Sequence, residues 1–380
     1  MALVRVSLGG LFFILVLFLT SVFGSVFMLG PVLPLMLLSP AWYRWITDRI
    51  VAVWLTLPVA LLEVVFHVKV VVCGDGFWPG ERSIIIMNHR TRLDWMFLWS
   101  CLLRSSYLRQ EKICLKSDVK NIPGFGWAMQ VASFIFIDRK WEVDKKRIIQ
   151  QLDYFCDVDQ RLQLLFFPEG TDLTPNTSAR SNEFADRHGL QRYEHVLHPR
   201  TTGFVYVVQH LRSAGTLDCI HDVTLAYPNK PPQTELDLLG GLFPREIHFL
   251  VRRYAVSTLP YGSVALATWC QNRWQEKEVA LQRFYTLGVF SPPPSAAVPP
   301  CKSERRVHLV LWFSLLYWGT FVALVVPVLL WHSVLARWFF LFISVFFSIQ
   351  PLIGDGLQQL EISWYRRWTR QPKNECVKLE

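Results

Sequence analysis

The sequence lacks the motifs that would assign a covalent or metal-dependent reaction. Its 380 residues contain no G-x-S-x-G nucleophile elbow, no Walker A loop and no H-E-x-x-H zinc motif. A covalent serine mechanism and a metal hydrolase are therefore unsupported. The eight cysteines are dispersed and include no C-x-x-C pair, so neither a zinc site nor a disulfide framework is predicted. We expect no metal and no cofactor, and we expect free thiols in a catalytic region that faces the cytosol.

Patterns typical of nucleic-acid-binding proteins are also absent. The formal net charge is +9, and such a basic excess indicates either nucleic acid or an anionic membrane surface as partner. The sequence shows no RNP, zinc-finger or helix-turn-helix pattern. It does contain 16 tryptophans and 27 phenylalanines, and heavy aromatic usage is common where a protein meets lipid headgroups. The predicted partner is therefore the lipid bilayer, and nucleic acid is not expected.

Charged residues are missing from a long N-terminal stretch. None occurs between Arg5 and Arg44, and about 20 apolar residues suffice to cross a bilayer. Residues 11–29 predict a membrane span, with a secretory signal peptide as the alternative. A second apolar run, residues 50–65, is interrupted by Pro58 and Glu63 and predicts either a short return span or a helix in the interface. Residues 1–67 are expected to form an anchor of one or two helices.

Charges are missing again near the C-terminus. Residues 307–336 and 338–354 contain no Lys, Arg, Asp or Glu, and Arg337 separates them. They predict a transmembrane hairpin at 307–354, after a stiff proline-rich linker at 291–306 and before a basic tail at 355–380. Because basic residues prefer the cytosolic side of a membrane, a hairpin at each end would place the middle region and the tail on that side.

Residues 68–290 have ordinary charge density, and their pattern alternates between strand and helix. This interleaving predicts an α/β domain with a mixed, mostly parallel sheet and flanking helices. The predicted strands cover residues 68–72, 84–87, 112–115, 134–137, 162–167, 219–227, 246–254 and 256–259. The predicted helices cover residues 92–103, 127–133, 145–156, 202–211 and 263–285.

The segment at residues 88–94, NHRTRLD, is the strongest candidate for chemistry. It lies between a buried strand and an apolar helix, and it places His89 and Asp94 five residues apart at the turn. A neutral imidazole beside a carboxylate can take a proton from a hydroxyl, and the carboxylate fixes the tautomer of the ring. Alternatively, Asp94 only stabilises the first helical turn and His89 is an ordinary core histidine.

A second candidate segment, residues 167–171 (FPEGT), also follows a predicted buried strand. Gly170 allows close backbone approach, and Thr171 with neighbouring amides can donate to phosphate oxygens. Glu169 can accept from a glycerol hydroxyl or hold an arginine. A plain Pro-Glu-Gly turn is the structural alternative.

Two arginines are candidates for binding phosphate, because the guanidinium fork matches phosphate oxygens. Arg139 follows a predicted strand, and Arg180 lies in what the sequence indicates is a polar loop. Each could instead be a solvated surface charge. Three lysines near a possible groove are interpreted as solvated charges, namely Lys112, Lys116 and Lys120.

The order of these motifs resembles the glycerophospholipid acyltransferase family, the family of lysophosphatidic acid acyltransferases. The pattern His-x-x-x-x-Asp, an apolar strand ending in Arg139, and Phe-Pro-Glu-Gly-Thr follow in that order, and the resemblance covers residues 68–227. Four longer segments are similar to the lysocardiolipin-acylating branch of this family, at residues 87–96, 123–130, 167–174 and 198–203. The implied fold is a glycerol-phosphate acyltransferase-like domain.

The resemblance implies transfer of a fatty acyl group from acyl-CoA, a co-substrate, to a hydroxyl of a lysophospholipid. It implies His89 as general base, Asp94 as its orienting partner and Arg139 as the ligand of the acceptor phosphate. Glu169, Gly170 and Thr171 would shape the acceptor site. The implied acceptors are lysocardiolipin, lysophosphatidylinositol, lysophosphatidylglycerol and lysophosphatidic acid. The implied location is the endoplasmic reticulum membrane, with mitochondria-associated membrane as an alternative.

The sequence departs from the family pattern at two places. Many family members have arginine directly after Glu-Gly-Thr, whereas Asp172 stands here, so a phosphate contact either moves to Arg180 or Arg200 or is absent. The tail also has one lysine suitably placed instead of a di-lysine retrieval signal. Two other functions stay open: a non-catalytic lipid-binding or scaffold protein of this fold, and an acyl-CoA thioesterase. The oligomeric state is not predicted.

Overall fold

The structure, a computed structural model, describes residues 6–138, 140–290 and 303–369. The seven strands are β1 (Lys69–Gly74), β2 (Ser83–Met87), β3 (Glu111–Lys116), β4 (Ile135–Ile137), β5 (Gln163–Phe166), β6 (Cys219–Ala226) and β7 (Glu246–Ala255). The helices of the α/β region are α4 (Asp94–Ser105), α5 (Phe125–Val131), α6 (Trp141–Asp157), α7 (Pro175–His188), α8 (Thr201–Ser213), α9 (Glu235–Leu239) and α10 (Ser263–Leu287). Outside it lie α1 (Leu8–Gly24), α2 (Leu35–Leu38), α3 (Pro40–Ala60), α11 (Glu304–Thr320), α12 (Val326–His332), α13 (Val334–Gly354) and α14 (Leu357–Thr369).

The strands form one mixed, mostly parallel sheet, which confirms the predicted fold class. Its order is β1-β7-β6-β2-β5-β3-β4. All neighbouring strands pair in parallel except β6 and β7, which are antiparallel. The carboxyl ends of β2, β5 and β6 therefore meet at one edge of the sheet. In open α/β sheets this edge is where ligands bind.

Alternate residues of β2 enter two different cores. Ile85 and Met87 lie in a core that includes residues of α1, α3, α4, α5 and α11, whereas Ile84 and Ile86 lie in a core with α6, α8 and α10. Every residue of β2 is buried, because helices cover both faces of the sheet. This is the burial expected of a parallel strand, and it explains why the run reads as continuously apolar.

Three helical stretches are long and apolar enough to cross a membrane: Leu8–Leu38, Glu304–His332 and Val334–Gly354. They indicate a membrane protein. The second apolar run of the N-terminal region lies in α3 and the π-turn after it (Leu61–Val65). Its residues Leu55, Leu57 and Ala60 are buried in the core that covers one face of the sheet.

Two local predictions are wrong. Residues 256–259 do not form a strand, because β7 already ends at Ala255 and Val256–Thr258 turn as a short 3-10 helix. The polar loop predicted around Arg180 is instead α7. This helix begins with a capping box between Thr174 and Thr177 and ends at the left-handed Gly189, so its caps compensate for a strongly polar composition.

The lysines interpreted as solvated are not alike. Lys112 is 1% exposed, and its Nζ lies 2.8 Å from Asp48 Oδ1. Lys120 is also buried and pairs with Asp355. Lys116 is exposed, as predicted.

The segment predicted as a basic tail contains α14, which begins directly after the apolar helices. Most of the proline-rich linker, residues 291–302, lies outside the described residues.

Candidate active site

The site begins where β2 ends. The side chain of Asn88 extends the pairing with β6, since its Nδ2 donates to Leu225 O at 3.0 Å and its Oδ1 accepts from Leu225 N at 2.8 Å. These two hydrogen bonds hold the chain where it leaves the sheet. His89 follows at once, and Asp94 is the first residue of α4. The turn between them therefore has a fixed start and a fixed end.

His89 and Asp94, the pair proposed from the sequence, are in contact. His89 Nδ1 lies 3.1 Å from Asp94 Oδ2. Asp94 is fully buried, whereas 14% of the His89 side chain is exposed. When Nδ1–H donates to the carboxylate, the lone pair of the ring is on Nε2, where it can accept a proton. The ring of Phe167 stacks on the imidazole with centroids 4.2 Å apart and limits its rotation.

Three further donors fix the carboxylate of Asp94. Thr91 donates from its backbone N–H to Oδ2 and from its hydroxyl to Oδ1, both at 2.8 Å. The hydroxyl of Tyr227, directly after β6, donates to Oδ1 at 2.7 Å. With His89 these donors occupy both carboxylate oxygens. The orientation of Asp94, and through it that of the imidazole, is thus set from α4 and from a neighbouring strand.

Glu169 lies beneath His89 instead of at the surface. It is 3% exposed, and its Oε1 accepts from His89 N at 3.3 Å and from the indole Nε1 of Trp274 at 2.9 Å. Burial raises the pKa of this carboxyl to about 7, against the opposing effect of the Trp274 and His89 donors. The contacts in the structure make Glu169 a support for the backbone of His89.

The rest of the second motif wraps around the same turn. Gly170 is exposed and has φ +72°, a left-handed conformation that favours glycine. The hydroxyl of Thr171 donates to Asp172 at 3.4 Å, and Leu173 N donates to His89 O at 2.8 Å. The structure therefore brings His89, Asp94, Glu169, Gly170 and Thr171 to one place.

The structure describes one of the two arginines predicted to bind phosphate. Arg139 lies outside the described residues, and β4, which precedes it, is the third strand from β2. Arg180 is exposed on α7. Within the part of the chain that the structure describes, no hydrogen bond or ion pair joins Arg180 to His89 or to Glu169.

Three supporting residues were missed by the sequence reasoning. Thr91 lies inside the first motif, and a threonine three residues before an aspartate is a detectable capping signal. Tyr227 and Trp274 are 133 and 105 residues away from their partners Asp94 and Glu169. Their only local signal is that Tyr227 is the last residue of a predicted strand. Contacts over such separations follow from the order of strands in the sheet, which a single sequence does not specify.

Comparisons with known proteins identify the family of this chain. A family model described as "Acyltransferase" matches residues 69–227, and one described as "Acyltransferase C-terminus" matches residues 237–313. The chain is 60% identical to "Lysocardiolipin acyltransferase 1" of Gallus gallus over 99% of both chains. It is 56% identical to the Mus musculus protein of that name over 99% of this chain and 100% of the relative. It is 37% identical to "Lysophosphatidylinositol acyltransferase 10" of Caenorhabditis elegans over 83% of each. The chain belongs to the glycerophospholipid acyltransferase family.

Proposed function

We propose that this protein is a membrane-bound acyltransferase that moves an acyl group from acyl-CoA to a free hydroxyl of an anionic lysophospholipid. The observation on which this rests is the His89–Asp94 pair, with Nδ1 held by a buried carboxylate and the ring open to solvent on one side. Relatives whose names state lysocardiolipin and lysophosphatidylinositol as substrates support these two acceptors. We also propose lysophosphatidylglycerol and lysophosphatidic acid as acceptors.

The proposed reaction needs no acyl-enzyme. His89 Nε2 takes the proton of the acceptor hydroxyl while the oxygen attacks the thioester carbonyl. Asp94 holds Nδ1–H and stabilises the imidazolium that forms. The tetrahedral intermediate then collapses, the C–S bond breaks, and the CoA sulfur leaves with the proton from His89. General base action of this kind contributes typically 10²- to 10⁴-fold, and holding both substrates in place supplies much of the remaining acceleration.

The remaining site residues have proposed roles in binding and support. Gly170 and Thr171 border the acceptor beside His89, and Glu169 supports the turn from below. Arg139 is proposed to contact the acceptor phosphate, as the family resemblance implies, and Arg180 is a weaker candidate because no contact ties it to His89. The proposed location is the endoplasmic reticulum membrane with the α/β domain on the cytosolic side.

The experiment is an assay of purified protein in detergent with radiolabelled oleoyl-CoA and lysophosphatidylinositol. We expect the unsubstituted protein to form labelled phospholipid and to release one thiol per product. We expect His89→Ala to abolish both while retaining the melting temperature of the parent. Turnover by His89→Ala at the parent rate contradicts the mechanism. Binding of lysolipid without thiol release favours a scaffold protein, and thiol release without any acceptor favours a thioesterase.

A further inference from the structure

The proposed acceptor is anionic, and a cation near His89 would favour its binding. The residue directly after Thr171 does not supply this cation, because it is the acid Asp172. The Asp172 carboxylate is 11% exposed, with its Oδ2 accepting from Gln233 Nε2 at 2.9 Å. Arg92 Nε lies 3.8 Å from the same oxygen. Negative charge at this position opposes an anionic ligand. Arg139 is one proposed ligand of the acceptor phosphate, and residue 172 does not supply a second cation on this side of His89.

Arg200 is placed to supply it. Its backbone N–H donates to Pro168 O at 2.8 Å, which ties the start of α8 to the segment that contains Glu169. Its side chain crosses the face of Gly170: Cδ and Nε lie 3.7 and 3.9 Å from the position that a Cβ at Gly170 would occupy. Gly170 directly follows Glu169, whose carboxylate accepts the amide of His89. The Arg200 side chain therefore lies against the loop that supports the proposed general base.

The other arginines near this loop are engaged or remote. Arg90 donates to Leu173 O at 3.4 Å and to Gln233 Oε1 at 3.3 Å. Arg92 lies beside Asp172. Arg200 is exposed, and among the described residues no carboxylate lies within ion-pair distance of it. An unpaired guanidinium keeps its full donor fork for a ligand.

We propose that Arg200 binds a substrate phosphate beside His89, and this inference rests on the proposed function. The chemistry it recognises is a phosphate ester with two or three non-bridging oxygens, which the guanidinium fork contacts from the Gly170 side. Two substrates present such a group: the lysophospholipid acceptor at its headgroup, and acyl-CoA at its pyrophosphate and ribose phosphate. The Michaelis constants of the two substrates distinguish these sources.

The test compares Arg200→Ala and Arg200→Lys with the parent, and uses Arg187→Ala, an exposed arginine on α7, as the matched control. KM and kcat are measured separately for lysophosphatidylinositol and for oleoyl-CoA. We expect Arg200→Ala to lose about 10- to 100-fold in kcat/KM, as for a lost charge-assisted hydrogen bond. We expect a smaller loss of kcat/KM for Arg200→Lys and an unchanged kcat/KM for Arg187→Ala. A rise confined to the lysolipid KM assigns the acceptor phosphate, and one confined to the oleoyl-CoA KM assigns the donor phosphate.

Chemical rescue separates binding from structural damage. Adding guanidinium chloride at tens of millimolar should restore part of the Arg200→Ala activity and leave the parent and Arg187→Ala unchanged. Michaelis constants of Arg200→Ala within twofold of the parent, or a loss that neither lysine nor guanidinium restores, overturn the inference while the proposed function stands. Absence of transfer by the parent protein contradicts the proposed function itself, and the inference falls with it.

Discussion

Two of the buried groups of charged side chains in this protein have different surroundings. The first, which we propose to be catalytic and name the catalytic cluster (His89, Asp94, Glu169), lies at the carboxyl ends of β2 and β5. The second group, which we name the clasp (Arg44, Asp48, Lys112, Glu361), lies between α3, β3 and α14. Each clasp residue is at most 8% exposed. In the catalytic cluster the two carboxylates are buried, but the imidazole is partly open.

The clasp is internally neutral and closed. Arg44 Nε lies 2.6 Å from Glu361 Oε1, and Lys112 Nζ lies 2.8 Å from Asp48 Oδ1. Tyr154 and Ser133 also donate to Glu361. Two cations and two anions thus compensate one another, as buried charges must. Among the described residues, no lysine or arginine forms an ion pair with Asp94, and its partner is a ring that can gain a proton. Under the proposed mechanism the catalytic cluster changes charge, whereas the clasp keeps its charges.

The largest effect is expected from Asp94→Asn. An amide can donate to Nδ1, which favours the wrong tautomer of His89 and removes the lone pair from Nε2. We expect kcat to fall by about 10³- to 10⁴-fold, the size seen when an orienting carboxylate becomes an amide. The measurement is the rate of thiol release with lysophosphatidylinositol, with a thermal melt as the control for folding. A loss below tenfold in a folded variant would show that Asp94 does not orient the base.

Substitutions in the clasp should lower the stability of the fold and leave kcat unchanged. Glu361→Ala leaves Arg44 buried without its main partner, and breaking one side of a buried pair costs about 3–5 kcal/mol. We expect a lower melting temperature and an unchanged kcat per folded molecule, measured below the melting range. The control is Arg367→Ala, an exposed residue on the same helix, which should melt like the parent. The double variant Arg44→Met with Glu361→Leu should recover stability, because no unpaired charge remains. A Glu361→Ala protein as stable as the parent would show that the clasp does not stabilise the fold, and the proposed difference between the clasp and the catalytic cluster would be wrong.

The two clusters also differ in how far the sequence predicts them. The catalytic pair is local: an apolar run, a turn and an apolar helix place His89 and Asp94 within five residues. The clasp joins residues 64 and more positions apart, such as Asp48 and Lys112. Charges scattered along a sequence carry no mark of their partners, so Lys112 was interpreted as solvated. The same limit hides Tyr227 and Trp274, whereas strand patterns were enough to predict the sheet class.

Glu111 offers a pH test of a third environment, a buried carboxyl that forms no ion pair with any residue that the structure describes. It precedes Lys112 in β3 and accepts from the indole of Trp99. Burial raises its pKa to about 8, with Trp99 and Lys112 opposing. The folded protein therefore keeps a proton that the unfolded chain releases above its ordinary pKa, so stability falls as pH rises from about 5 to 8. Across this pH range the melting temperature should fall less steeply for Glu111→Gln than for the parent. Parallel curves would show that Glu111 does not hold the proton.

The smallest effect is expected from Tyr227→Phe, which sharpens the comparison because it removes one donor and no charge. Asp94 keeps its bonds from Thr91 and His89, so the pair should survive. A single hydrogen bond to a carboxylate is worth about 1.5–3 kcal/mol at most, and we expect a roughly tenfold loss in kcat. Phe97→Leu alters packing beside the Tyr227 ring without removing the hydroxyl, and it provides the reference for a purely structural effect. A loss of kcat in Phe97→Leu as large as that in Tyr227→Phe would assign Tyr227 to packing and leave the orientation of Asp94 to Thr91.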